Sequence, residues 1–296
     1  MSLLAYAVDT LIFINIYAIL ALSLNLEAGT ARLMNFGKVA FFAIGAYASA
    51  LLSLTGLPFP ASLLGGAVLA GVAGVAVALP ALRLREDYLA IATIAFGEII
   101  RLILLNERWL TSGPVGLRGI PQPMRDAVQE YQLFYLALTA LFLVGVAAFL
   151  QVLTWAPFGR VLRAIREDEL VAQALGKHTF SFKARAFALA SALAGIAGAL
   201  FAHYLTFISP DMFMPAVTFS VWTMIVVGGR GSVPGAVAGA AMVVMLERGT
   251  RLLKDYTALG VEPSNLRMIL LGLMLILFLM YRPQGLIREK KYEVGG

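Results

Sequence analysis

What most narrows the fold is the recurrence, along all 296 residues, of apolar runs long enough to cross a membrane. A helix needs about 20 predominantly apolar residues to span roughly 30 Å of hydrocarbon. Runs near that length occur at Val8–Leu26, Phe36–Leu54, Phe59–Leu82, Tyr88–Leu105, Leu133–Leu153 and Ala186–Ile208, with shorter ones at Pro215–Gly228, Val233–Leu246 and Leu266–Tyr281. At 60% hydrophobic and 14% charged residues, too little polar surface remains to cover a water-soluble globule. The expected fold is an all-α integral membrane protein, a polytopic bundle of eight or nine transmembrane helices, with residues 1–296 forming one transmembrane domain. Met1–Leu26 lacks a basic leader and a small-residue cleavage site, so it reads as a retained first span.

The apolar pattern is interrupted once by a long, charge-dense segment, Trp155–Arg185. It carries Arg160, Arg163, Arg166, Lys177, Lys183 and Arg185 around an acidic group, Glu167, Asp168 and Glu169. Short loops rich in Lys and Arg stay on the cytoplasmic side. That rule places residues 155–185 inside, together with Arg83, Arg85, Arg282, Arg288, Lys290 and Lys291, and places the loop 106–132 outside, where its glycines and prolines predict turns and no helix. Arg251 and Lys254 run against it. The net charge of +6 resides in these loops and not on one face, so topology explains it better than nucleic-acid binding does.

Two regions do not read as simple spans. Leu22–Phe42 holds Asn25, Glu27, Gly29, Arg32, Asn35, Gly37 and Lys38, and Val226–Gly239 holds Gly228, Gly229, Arg230, Gly231, Ser232 and Pro234. Each is either a tight interfacial loop or a broken helix at membrane depth, which lipid tolerates only where protein or a water-filled cavity surrounds it. Paired interruptions of this kind point to an inverted repeat with its pathway between the halves. On that reading Asn25, Gly29, Asn35, Gly37, Gly228, Gly229, Arg230 and Gly231 are the candidate substrate-pathway residues. Small residues at four-residue spacing, among them Ser191, Gly195 and Ala199, and Ala67 and Gly71 with Gly66 and Gly74, predict close helix packing.

Within the basic loop, Asp168 is a good N-cap, Glu169 suits the first helical turn, and Gly176 followed by Lys177 and His178 is a good stop. The spacing predicts a helix over Glu169–Leu175, with Pro157 and Gly159 closing the helix before it. Leu170, Val171, Ala174 and Leu175 would form an apolar surface on an element too short to be stable alone in water. Such a surface suits the groove of another protein; the alternative is a helix lying on the lipid surface.

Here the chain resembles the permease subunits of branched-chain amino acid ABC transporters, of the LivM type. The resemblance runs from about Ala21 to Ile287. It rests on LNLEAGTARLMNFGKVAFFAIGAY (Leu24–Tyr47), LRLREDYLAIATIAFGEIIRLILLN (Leu82–Asn106), TSGPVGLRGIP (Thr111–Pro121), GRVLRAIREDELVAQALGKHTFSFKARAFALASALAGIAGAL (Gly159–Leu200) and RPQGLI (Arg282–Ile287). It implies an importer permease that pairs with a homologous LivH-type permease, two ATP-binding cassette subunits and a soluble substrate-binding protein, in the inner membrane of a prokaryote. It implies a coupling loop with Asp168, Glu169, Leu170, Ala172, Ala174 and Gly176 at the ATPase contact, although Leu170, Val171 and Ala172 stand where importers of this type carry Glu-Ala-Ala. It implies an outer face that receives the binding protein, with Arg108, Arg118 and Arg125 as candidate docking charges. Related systems carry urea or other amides, which remains an alternative substrate class.

The sequence excludes several chemistries. It has no cysteine, hence no disulfide, thiol catalysis or Cys metal site. Gly37-Lys38-Val39 lacks the upstream glycine and the Ser/Thr of a phosphate-binding loop, so ATP would be hydrolysed by partners and no cofactor is expected on this chain. No metal or catalytic constellation is present, and the chain reads as a transport subunit, not an enzyme. Glu98 and Arg101, one turn apart, predict a structural ion pair; His203 reads as an interfacial hydrogen-bonding residue; Asp9 stays undecided. A carrier driven by an ion gradient is the remaining alternative, and it would need ionisable groups in mid-span.

Overall fold

A computed structural model describes residues 3–125, 128–256 and 263–289, so Lys290 and Lys291 lie outside the described residues. Twelve α-helices are present among these residues: α1 (Leu3–Leu24), α2 (Lys38–Leu54), α3 (Phe59–Ala81), α4 (Glu86–Asn106), α5 (Arg108–Thr111), α6 (Tyr131–Trp155), α7 (Pro157–Glu167), α8 (Glu169–Ala174), α9 (Thr179–Leu205), α10 (Pro215–Gly228), α11 (Val233–Tyr256) and α12 (Pro263–Tyr281). All nine apolar segments are helical. The chain is an all-α polytopic membrane protein, in which α1, α3, α4, α6 and α9 are each long and apolar enough to cross a bilayer. With 17 and 14 residues, α2 and α10 reach only about 26 and 21 Å at 1.5 Å per residue. Both abut the polar interruptions.

The core is a layer of α2, α3 and α9, with α1 packed on α9 and carrying α6, α10 and α11 on its other sides. Small residues set the spacing: a Cβ built on Gly195 of α9 would lie 2.6 Å from the Ala70 Cβ and 3.0 Å from the Gly66 carbonyl oxygen of α3. Gly74 faces Ser191 in the same way. The backbones meet where the sequence spacing placed them. Helix α9 is the most enclosed of the long spans, whereas α4 and α6 show most of their apolar surface to the outside.

Two loop expectations change. Pro157 closes the helix before it, since α6 stops at Trp155 and the pre-proline Ala156 is extended, but it also opens α7 in its first turn, where a missing N–H costs nothing, and Gly159 lies inside α7 instead of at a helix end. The outer loop 106–132 is not free of helix, since α5 makes one turn ahead of a 3-10 turn, Gly113–Val115. It is tied to the bundle by a two-residue strand, β1 (Leu117–Arg118), antiparallel to β2 (Phe207–Ile208).

Candidate functional site

At the end of the bundle that carries the basic loop, the two interruptions meet. The first is not a clean break: α1 runs on as a π-helical turn, Asn25–Thr30, before the chain leaves helix and restarts at Lys38. Wider π-turns re-aim side chains and recur at functional sites. Here the turn aims Asn25 at the second interruption, where its side chain accepts from the Gly231 N–H at 2.8 Å and donates to the Ser232 carbonyl at 3.2 Å. Gly29 sits under the same strand of backbone, and a Cβ there would be 2.4 Å from the Gly231 nitrogen.

The same turn holds an ion pair that the sequence reading passed over. Lys38 Nζ lies 3.0 Å from Glu27 Oε1, and both side chains are 0% exposed. Asn35 donates to the other carboxylate oxygen at 3.0 Å, accepts from the Gly37 N–H at 2.9 Å, and offers its carbonyl to the Trp222 indole of α10 at 3.1 Å. The start of α2 is pinned to α10 by a bond from the Val39 N–H to Thr218 Oγ1 at 3.0 Å. Each oxygen of the buried carboxylate therefore has its own donor, Lys38 on one and Asn35 on the other. Burying two charges gains little net stability, but losing one partner would be costly, so the pair fixes this conformation against near alternatives.

The second interruption is covered by the segment after α12. Leu286 donates to the Val227 carbonyl at 2.8 Å and Ile287 to the Gly228 carbonyl at 3.0 Å. Gly228 and Gly229 are buried beneath this tail, and Gly229 takes a left-handed φ of +115°. Arg230 is exposed, its guanidinium 5.7 Å from the Trp222 ring centre. Of the eight candidate pathway residues, the structure brings Asn25, Gly29 and Gly231 into contact, places Asn35 and Gly37 one layer deeper, and seals Gly228 and Gly229 under the tail.

The basic loop is wired into both interruptions. Arg166 of α7 donates to the Gly29 carbonyl and pairs with Glu289 at 2.8 Å, while Arg163 lies 3.5 Å from the same carboxylate. One helix thus holds the π-turn and the sealing tail together. At its end Asp168 leaves helical geometry and caps α8, accepting from the Leu170 and Val171 N–H groups at 2.9 and 3.0 Å. Gly176 closes the turn with φ +76°. Leu170, Val171 and Leu175 are 76%, 54% and 73% exposed, so α8 presents an apolar tip. Ala174 and Gly176 are on the exposed side, but Ala172 is buried, and Glu169 is engaged with Lys183. Any contact surface on α8 excludes Ala172.

The opposite end is braced differently. His203 is fully buried, not interfacial: the Pro121 carbonyl, 2.7 Å from Nδ1, can only accept, which puts the proton there and leaves Nε2 to accept from Ser49 at 3.0 Å. Asp9 receives both Arg248 and the Tyr204 hydroxyl. Glu98 and Arg101 form the expected ion pair. Arg108, Arg118 and Arg125 are exposed, the last two over the rings of Phe207 and Tyr131.

A family model described as branched-chain amino acid transport system / permease component matches residues 6–279. The chain is 36% identical to the high-affinity branched-chain amino acid transport system permease protein LivM of Escherichia coli, over 95% of this chain and 69% of that one. It is 31% identical to the probable LivM of Methanocaldococcus jannaschii, over 95% and 92%. Similarity to the high-affinity branched-chain amino acid transport system permease protein LivH of Escherichia coli is lower, 27% over 94% and 92%. No solved structure matches.

Proposed function

The chain belongs to the branched-chain amino acid transport permease family, and from that premise we propose that it is one of two permeases in an importer of hydrophobic amino acids driven by separate ATPase subunits. The LivM relatives support the substrate class, and the parallel likeness to LivH supports a heteromeric permease pair. A soluble binding protein would deliver substrate at the end carrying Arg108, Arg118 and Arg125. The setting would be the inner membrane of a prokaryote, with ATP bound by the partner subunits alone. Family membership leaves the gradient-driven carrier and the amide importer less favoured.

The observation that carries the mechanism is the continuous route from the apolar tip of α8 through α7 and Arg166 to the Gly29 carbonyl and Glu289. When ATPase subunits close, they move the α8 tip. Helix α7 follows as a lever, and Arg166 transmits its displacement to both interruptions. Their polar contacts are directional, so a shift exchanges one set for another and leaves the α3–α9 packing intact. The ATPase thereby stabilises one access state over the other by differential contacts. Asn25, Gly29, Asn35, Gly37 and Gly228 to Gly231 lie on the moving seam and flank the pathway in this scheme.

The test is co-expression with the companion subunits and replacement of the tip by Leu170→Asp with Leu175→Asp. The variant is expected to insert and fold, to lose copurification of the ATPases, and to lose uptake of radiolabelled leucine. Retained copurification and uptake would reject α8 as the coupling element.

A further inference from the structure

Helices α6 and α11 both lean on α1 but touch each other sparingly, leaving a furrow of about 700 Å³ between them. Its walls are Val144, Ala147 and Ala148 on one side and Val237, Ala238 and Ala241 on the other. From Val144 to Trp155, α6 covers about 17 Å at 1.5 Å per residue, close to half of a 30 Å hydrocarbon core. The furrow therefore spans one leaflet. Its inner walls are apolar, while its end at the basic loop carries Gln151, Thr154, Trp155, Arg163, Arg288 and Glu289.

We infer that this furrow is a binding site for an anionic glycerophospholipid, with an acyl chain between α6 and α11 and the phosphate at Arg288. The shape fits a chain running from the headgroup level inward, and the volume falls within the usual range of small-molecule sites, about 300–1,000 Å³. The sign of the charge also fits. Glu289 is already shared by Arg163 and Arg166, so the mouth carries surplus positive charge, and among the described residues Arg288 makes no ion pair. Trp155 marks the headgroup level, where indoles concentrate. Basic pockets between spans on this side are suited to acidic headgroups. The same mouth borders Glu289 and Gly231, so a bound lipid would touch the seam that α7 controls.

Trp155 supplies the readout. The transporter complex, reconstituted into vesicles with either phosphatidylglycerol or phosphatidylcholine brominated on the acyl chains, is compared with its Trp155→Phe counterpart, and the difference isolates quenching of this indole. Brominated phosphatidylglycerol is expected to quench at much lower mole fraction than brominated phosphatidylcholine. Arg288→Gln should lower that preference about fivefold, the worth of one basic residue near an anionic surface. Ala238→Phe, which fills the furrow, should abolish the selective component. Equal quenching by the two lipids, or a preference untouched by both substitutions, would overturn the proposal. So would quenching that appears only when the companion permease is left out, since the furrow would then be a subunit interface.

Discussion

The α3–α9 contact and the seam between the two interruptions are both built on glycine, yet they are opposite kinds of interface. In the first, Gly74 and Gly195 bring two backbones together with nothing but side-chain and backbone atoms in van der Waals contact. In the second, Gly29 and Gly231 bring backbones together so that Asn25, Arg166 and the tail can bond to exposed peptide groups. Dispersion contacts fall off on all sides of one close-packed arrangement and so define a single fit. Hydrogen bonds and ion pairs can be traded for others of similar energy. The lesson is a division of labour: the dry interface holds a fixed body, and the polar seam can have two settings.

The sharpest way to break the comparison is Lys38→Met. It strands the Glu27 carboxylate in a fully buried position and should cost about 3–5 kcal/mol, seen as a collapsed melting transition in detergent. Adding Glu27→Gln should restore most of the stability, because a neutral, shape-matched pair has no charge to desolvate. If the single and double variants melt alike, the pair is not what fixes the seam. Next in size is Gly195→Leu, where overpacking against α3 should cost about 1–3 kcal/mol while leaving substrate transport per folded molecule near normal. The smallest stability effect and the most telling is Arg166→Gln. Arg166 makes charge-assisted hydrogen bonds to both Gly29 and Glu289, and a Gln that keeps one neutral bond in their place loses about 1.5 kcal/mol net, which shifts a two-setting equilibrium about tenfold. Leucine uptake should fall with little change in melting temperature, whereas ATPase copurification persists. A variant that melts early and transports normally would place Arg166 with the fixed body instead.

The spans were legible because length and apolarity decide membrane helices almost independently of tertiary context, and the Asp168 cap and Gly176 stop are local chemistry. Pro157 told half of the story, because proline fits the first turn of one helix as readily as it ends another: α6 stops before it, and α7 starts on it and carries Gly159 inside. His203 looked interfacial because nothing local reveals Ser49 and Pro121 as partners. Glu27 and Lys38 stood in plain view among the polar residues of the first interruption. Eleven positions apart on an assumed irregular loop, they had no reason to meet until the π-turn was known to carry Glu27 inward. Arg166 and Glu289 are 123 positions apart, and no local pattern predicts a pair at that distance.

The segment Arg282–Ile287 follows every described span and yet closes the seam made by Val227 and Gly228. In the order of biosynthesis, the dry body of α2, α3 and α9 can assemble while later helices are still emerging from the ribosome. The lever end cannot be latched until α12 has been inserted and the tail released. A nascent chain is thus held in an unlatched form until α12 has been made, and the seam takes its setting only after the dry body has been fixed.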